Sequence, residues 1–197
     1  MTARHRVSPY LAYIFMLAIG LIIVIPFLWM VSTSFKPKTE IVARVIHFLP
    51  QKFTLENYDK VFLRVPFFVN LMNSMFVSGL TTVIAIFFST MVGYAIAKFN
   101  SAGLRLLLGL VLTALMIPPF VIAIPLYIVG ARMGLVNNLL AVVIPFAVSN
   151  FGIFLMRQFC ITIPDELLDA GRIDGAGEFR IFIAVVFPVV VAGATAF

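Results

Sequence analysis

The chain has 197 residues, of which 62% are hydrophobic and 11% are charged, and its mean hydropathy is +1.13. This composition excludes a water-soluble domain, which would lack the polar residues needed to cover its surface. The formal charge of +6 indicates basic residues that flank membrane segments, and nothing in the sequence points to nucleic-acid binding. Cys160 is the single cysteine, which excludes an intrachain disulfide and a cysteine metal cluster. The sequence therefore predicts an all-α integral membrane protein.

Two apolar segments and a polar connector fill the first half of the chain. The first apolar run, 10–31, has 22 residues, which is too long for the core of a signal peptide and close to the roughly 20 residues that span a bilayer. We predict that it is a retained first span after a cytoplasmic N-terminus at 1–9. An extracytoplasmic loop at 32–66 and a second span at 67–97 follow, and a cytoplasmic turn at 98–103 ends this half.

Proline residues interrupt the second half. We predict a third span at 104–129, an extracytoplasmic turn at 130–138, a fourth span at 139–157, a cytoplasmic loop at 158–178 and the start of a fifth span at 179–197. Prolines in the middle of a span free backbone carbonyls, and transporters tend to place substrate at such breaks, although a purely structural kink is an equal alternative. Polar side chains inside spans also bond neighbouring helices. The residues that we predict along a substrate path are Asn73, Ser74, Pro118, Pro119 and Asn150.

The segment 163–188 is the only long polar interruption in the apolar C-terminal half, and it holds five of the eight acidic residues. Pro164 suits the start of a helix, and acidic side chains favour the positive end of the helix dipole, so we predict a helix at 165–174. Gly175 should end this helix. A second, apolar helix should begin near Glu178.

One face of the predicted short helix carries Leu167, Leu168 and Gly171, while Asp169 and Arg172 are spaced to form an ion pair. So short a helix needs a surface to lie against. Two interpretations stay open: the segment folds back on its own protein, or it docks into a basic groove of a partner.

The same segment resembles a known motif. Asp169-Ala170-Gly171, followed after three residues by Gly175 and after nine more by Val185-Val186-Phe187-Pro188, is similar to the EAA loop, E-A-A-x3-G-x9-I-x-L-P, of permease subunits of ATP-binding-cassette (ABC) importers. The run Arg172-Ile173-Asp174-Gly175-Ala176 resembles the carbohydrate-uptake branch, and in particular its second, MalG-like permease. Asp169 and Gly171 depart from the pattern, as do Val185 and Phe187.

The resemblance implies a multi-span helical bundle of the ABC importer permease type in the cell membrane. It also implies four partners: a second permease subunit, two ATP-binding subunits and an extracytoplasmic solute-binding protein. ATP and Mg would be bound by the ATPase partners and no cofactor by this chain. The residues that the resemblance assigns to ATPase coupling are Asp165, Glu166, Leu167, Leu168, Asp169, Ala170, Gly171, Arg172, Ile173, Asp174, Gly175, Ala176 and Pro188.

Permeases of this family usually have six spans. We therefore expect four full spans and the beginning of a fifth, with the sixth absent, so that the chain is truncated at its C-terminus. Lys and Arg residues number seven on each predicted side of the membrane, so the positive-inside rule does not decide the orientation. Without the loop at 32–66 the ratio is seven to one in favour of a cytoplasmic N-terminus.

The sequence contains no P-loop, no H-E-x-x-H motif and no nucleophile elbow, so we expect no enzymatic activity. Its charged residues fall at the edges of the predicted spans or in loops, which argues against an ion-coupled carrier. The expected function is import of a carbohydrate powered by separate ATPase subunits. A permease for an amino acid or a metal and a non-transporting membrane scaffold remain as alternatives.

Overall fold

The computed structural model describes the backbone of residues 9–195 and the side chains of residues 10–192, and this part of the chain is helical with connecting turns and without strands. Of the N-terminus predicted at 1–9, only Pro9 is described. The last two residues of the predicted fifth span lie outside the described residues. In chain order the helices are α1 (Pro9–Ser34), α2 (Lys38–Ile41), α3 (Glu56–Arg64), α4 (Phe67–Lys98), α5 (Ala102–Leu115), α6 (Pro119–Arg132), α7 (Leu140–Phe146), α8 (Asn150–Ile161), α9 (Asp165–Ile173), α10 (Glu178–Ile181), a π-helical segment (Phe182–Val186) and α11 (Phe187–Thr195).

Within residues 9–195, two helices are long and apolar enough to cross a membrane: α1 from Tyr10, with 25 residues, and α4, with 32 residues. Two further candidates are bent pairs, α5 with α6 at 106° and α7 with α8 at 43°. The predicted third span is therefore sharply broken rather than merely kinked. Pro118 has extended backbone angles and Pro119 begins α6, and neither residue has the N–H that would continue the α5 hydrogen bonds.

The chain divides into two compact units, one up to Asn70 and one from Leu71 onward. In the first unit the polar connector is folded. The side-chain amide of Asn57 donates to the carbonyl oxygens of Ser34 (2.9 Å) and Lys36 (2.8 Å), and the carboxylate of Glu40 accepts from the backbone N–H of Gln51 at 2.9 Å. The bond to Ser34 satisfies a carbonyl group that the end of α1 leaves open, and the other two bonds hold the connector together.

In the second unit, α4 and α8 approach closely through small residues. A Cβ atom added at Gly93 would lie 2.7 Å from the backbone nitrogen of Arg157, and one added at Gly152 would lie 2.7 Å from the Oγ of Ser89. Ser89 and Gly93 are four residues apart, which is the small-residue spacing that lets two helices pack at short distance. A side chain at Gly93 would therefore separate the two helices.

The largest buried cluster of the second unit joins α4 and α8 to the C-terminal helices. Within it the rings of Tyr94 and Phe182 stack with 6.1 Å between their centroids, and the neighbouring ring of Phe87 meets Phe182 edge to face at 5.7 Å. Burial of these apolar side chains fixes the C-terminal helices on α4. The buried members are Tyr94, Met156, Cys160, Ile163, Leu168, Ile181, Phe182, Val186 and Val190.

Candidate functional site

The helix α9 lies in the segment that the sequence singles out, and its start is fixed by a cation from α4. Pro164 precedes the helix with extended backbone angles, and Asp165 is the first helical residue. The ammonium group of Lys98 lies 2.6 Å from Asp165 Oδ1 and donates to the carbonyl oxygen of Ile163 at 2.5 Å. The last turn of α4 is thus joined directly to the first turn of α9.

The end of α9 is a Schellman motif. Gly175 has φ +78°, its N–H bonds the carbonyl of Arg172, and the N–H of Ala176 bonds the carbonyl of Gly171, both at 3.0 Å. Because the left-handed backbone conformation is most favourable for glycine, Gly175 allows this chain reversal at little cost. The helix ends at Ile173, one residue earlier than predicted, and Asp174 is its C-cap. α10 begins at Glu178, where the sequence places the next helix.

Arg172 crosses this reversal with its guanidinium group. Its Nη1 lies 2.7 Å from Asp169 Oδ1, as the spacing predicts, and its Nε donates to Glu178 Oε1 at 2.7 Å. The hydroxyl of Tyr94 donates to the other oxygen of Glu178 at 3.1 Å. The last turn of α9, the first turn of α10 and the helix α4 are therefore connected by one hydrogen-bond network.

The network shifts the ionisation of its members. The guanidinium of Arg172 is the main cause that lowers the pKa of Glu178, and the hydroxyl of Tyr94 acts in the same direction against the opposing effect of burial. Reciprocally, the carboxylates of Glu178 and Asp169 raise the pKa of Arg172. The charges of Arg172 and Glu178 are thus both held in their ionised forms at neutral pH.

The inner face of α9 is buried within its own protein. Leu168 is 1% exposed and belongs to the buried cluster, so its side chain packs inside its own protein and cannot fill a groove on a partner. A Cβ atom added at Gly171 would lie 3.2 Å from the Cγ1 of Ile181, which shows that this face rests on α10. Ala176 also packs against the cluster.

The outer face of α9 is open. Glu166, Ala170 and Ile173 are exposed at helical spacing, and Ile173 is 86% exposed while Leu167, at the margin, is 45% exposed. An isoleucine so exposed beside carboxylates forms a surface with apolar and acidic character. We call Glu166, Leu167, Ala170, Ile173 and Asp174 the outer face of α9. Pro188 is exposed in α11, beyond the π-helical segment.

The predicted substrate-path residues do not form one site. Pro118 and Pro119 lie at the break between α5 and α6, and Asn150 is the exposed first residue of α8, next to the break with α7. Asn73 is half-buried and Ser74 is exposed on α4. Among the described residues, no side-chain hydrogen bond connects these five positions, and their role in a substrate path stays a prediction.

Sequence reasoning missed three residues that hold α9: Lys98, Tyr94 and Glu178. Lys98 and Asp165 are 67 positions apart, and Tyr94 and Glu178 are 84 positions apart. No periodicity or local spacing connects residues at such distances. Their positions near helix ends were the only available signal.

The profile of the family described as "binding-protein-dependent transport system inner membrane component" matches residues 85–197, which include α9 and its attachments. The chain belongs to this permease family. The resemblance to carbohydrate importer permeases is confirmed, and so are the helical membrane fold and the membrane location. The permease is 34% identical over 191 residues to the arabinooligosaccharides transport system permease protein AraQ of Halalkalibacterium halodurans, with 94% of this chain and 68% of the relative covered.

A second curated relative and a solved structure are also similar to this chain. The permease is 28% identical to the lactose transport system permease protein LacG of Rhizobium radiobacter, with 95% of this chain and 68% of LacG covered. It superimposes with a TM-score of 0.78 at 22% identity on a chain of the crystal structure of a bacterial ABC transporter involved in the import of the acidic polysaccharide alginate, over 98% of this chain and 69% of that one. The structural similarity shows that the two chains share a fold. The permease spans about two thirds of the length of the relatives it matches.

Proposed function

We propose that this permease forms half of the translocation pathway of a carbohydrate importer and receives mechanical work from ATP-hydrolysing subunits through α9. The observation that carries the proposal is the attachment of α9 at both ends. Lys98 ties its first turn to α4, and the network of Arg172, Glu178 and Tyr94 ties its last turn to α4 and α10. A helix attached in this way moves as one body with the helices that it touches.

The inner face supplies rigidity between these two attachments. Leu168 fills the buried cluster and Gly171 lies against Ile181, so α9 has little freedom to slide on α10. Because packed interiors resist deformation, a displacement imposed on the outer face should pass to α4 and to the C-terminal helices. Closure of two nucleotide-bound ATPase subunits would then change the access of the pathway from one side of the membrane to the other.

The outer face of α9 carries exposed apolar and acidic side chains, which would fit a basic, partly apolar groove on an ATPase subunit. Asp169 is paired with Arg172, whereas Glu166 and Asp174 form no ion pair with described residues. Ile173 offers an exposed apolar side chain whose burial would contribute about 1.5–3 kcal/mol. We infer that Ile173 anchors the contact and that Glu166 and Asp174 pair with cations at its rim.

The proposed assembly contains this chain, a second permease subunit, two ATP-binding subunits and an extracytoplasmic solute-binding protein, embedded in membrane lipid. ATP and Mg would be bound by the ATPase subunits and no cofactor by this chain. This arrangement requires the loop between α8 and α10 on the cytoplasmic side, and hence a cytoplasmic N-terminus. The carbohydrate substrate is supported by the sugars for which the relatives are named.

The proposed substrate path is lined by polar side chains that match sugar hydroxyls. Asn73 and Ser74 on α4 and Asn150 at the start of α8 offer donors and acceptors, and Pro118 and Pro119 lie at the break between α5 and α6. Broken helices in transporters tend to mark the substrate site because their free backbone groups also bind polar ligands.

The test is an exchange of the anchor residue. Ile173→Asp should reduce co-purification of the ATPase subunits and solute-stimulated ATP hydrolysis by roughly tenfold or more, because an apolar contact is replaced by a charge. The matched control is Ile46→Asp, the same change at a residue that is 75% exposed in the polar connector and that should leave both measurements unchanged.

The assay uses the complete assembly in proteoliposomes, with arabino-oligosaccharides and lactose as carbohydrate probes and an amino acid and a metal ion as comparison solutes. Stimulation by a carbohydrate alone supports the proposal. Stimulation only by an amino acid or a metal would assign another solute class. Co-purification of ATPase subunits without stimulation by any solute would favour a scaffold, and wild-type behaviour of Ile173→Asp would refute the contact.

A further inference from the structure

A basic pocket lies beside the site but outside the surface proposed for the ATPase. It has a volume of about 260 Å³ and is formed where α4 ends, α5 begins and α8 passes. Three cationic side chains line it: Lys98, Arg105 and Arg157. No acidic residue lines it, so three positive charges converge on one small space.

The three cationic side chains differ in their ion-pair and hydrogen-bond partners. Lys98 pairs with Asp165, and Arg105 donates only to the neutral side-chain oxygen of Asn100, at 2.5 Å. The guanidinium of Arg157 forms no hydrogen bond or ion pair with the described residues, and its Nε is shielded from solvent without a partner. A shielded donor of a charged group that lacks an acceptor is costly. The charges of Arg105 and Arg157 and the unpaired Nε donor of Arg157 therefore favour the binding of an anion in this pocket.

The start of α5 adds to the positive field. Ser101 caps the helix by accepting from the N–H of Leu104 at 3.2 Å, and α5 runs for 14 residues from Ala102. The N-terminal end of such a helix carries a partial positive charge that favours an anion nearby.

Apart from Asn100, the remaining lining residues of the pocket are apolar. They are Ile96, Ala97, Phe99, Leu104 and Leu108. A free inorganic anion would gain nothing from these side chains, whereas a lipid presents a charged phosphate and hydrocarbon in the same molecule. Basic pockets between membrane helices are known to bind the head groups of anionic lipids.

We propose that this pocket binds an anionic phospholipid, whose phosphate group contacts Arg157 and Arg105 and whose acyl chain lies along Leu104 and Leu108. Guanidinium groups suit this role because they can donate two parallel hydrogen bonds to phosphate oxygens. Lys98 also lines the pocket, and it holds Asp165. The bound lipid would therefore sit next to the attachment between α4 and α9.

The experiment measures lipid retention by native mass spectrometry of the purified full chain in detergent, with phosphatidylglycerol and phosphatidylcholine as probes. Phosphatidylglycerol should be retained preferentially. Arg157→Gln should reduce its retention by roughly fivefold, the effect of one basic residue at a lipid surface, and Arg157→Lys should retain an intermediate level. Arg180→Gln is the matched control because Arg180 is exposed outside the pocket.

Arg105→Gln provides a second test that does not depend on the folding of the Arg157 variants, and it should reduce phosphatidylglycerol retention to a similar extent. Added inorganic phosphate separates the two sources of the anion. Equal retention of both lipids, unchanged retention in both glutamine variants, or displacement of phosphatidylglycerol by a low concentration of inorganic phosphate would overturn the proposal.

Discussion

Lys98 and Asp165 form an ion pair of 2.6 Å in which one partner is shielded and the other is hydrated: the side chain of Lys98 is 9% exposed and that of Asp165 is 74% exposed. The ammonium group therefore depends on Asp165 and on the carbonyl of Ile163 to replace its lost water. The carboxylate of Asp165 keeps most of its hydration. Removing one partner should therefore change the free energy of unfolding by a different amount from removing the other.

This asymmetry predicts unequal effects of removing the two partners. Lys98→Ala should lower the free energy of unfolding by about 1–3 kcal/mol, because the shielded carbonyl of Ile163 loses its donor. Asp165→Ala should lower it by more than Lys98→Ala does, because it leaves the shielded ammonium group of Lys98 without its counter-charge, whereas Lys98→Ala leaves a carboxylate that water solvates. Chemical denaturation in detergent measures both values. Equal losses would contradict the interpretation that Lys98 is the fixed partner.

The two faces of α9 can be compared with a pair of adjacent leucines. Leu168→Ala should lower the free energy of unfolding by about 2–5 kcal/mol because a buried side chain leaves a cavity. Leu167→Ala, the same change at a residue that is 45% exposed, should cost less than about 1 kcal/mol. If Leu167 were the more costly of the two to truncate, the assignment of inner and outer faces would be wrong.

Gly175 is expected to be intolerant of side chains because of its backbone. At φ +78°, Gly175→Asp should cost about 1–2 kcal/mol, leave the protein in the membrane and abolish transport-coupled ATP hydrolysis by displacing the end of α9. Gly177→Asp is the control: its φ of −70° suits any residue, and aspartate is favourable at the N-cap of α10. Normal carbohydrate uptake by Gly175→Asp proteoliposomes would count against the lever.

Glu178 should make stability depend on acid. Arg172 lowers the pKa of Glu178 below its ordinary value of 4.5, so the ionised form stabilises the folded state above pH 4.5, and this stabilisation is lost as the pH falls through the lowered value. Glu178→Gln should reduce the difference between melting temperatures measured at neutral pH and below pH 4.5. Glu166→Gln, which removes a carboxylate without an ion pair, should keep the full difference.

Local features of α9 were predictable from the sequence. Pro164, the acidic first turn and Gly175 set its bounds to within one residue, and the ion pair of Asp169 with Arg172 follows from helical spacing. These features depend only on residues within one or two helical turns of each other, so the order of residues along the chain is enough to predict them. The apolar composition likewise determined the membrane class, because so few polar residues cannot cover a soluble protein.

The tertiary structure decided which side of α9 is buried, which residues hold its ends and how sharply the chain breaks at Pro118. Leu167 and Leu168 are equivalent in hydrophobicity, and only the packing against Ile181 and Phe182 selects Leu168 for the interior. The contacts of Lys98 and Tyr94 join residues 67 and 84 positions apart. Such contacts depend on the close approach of α4 and α8 and on the packing of the C-terminal helices. Side-chain pattern alone does not encode that arrangement, because many packings bury the same apolar surface.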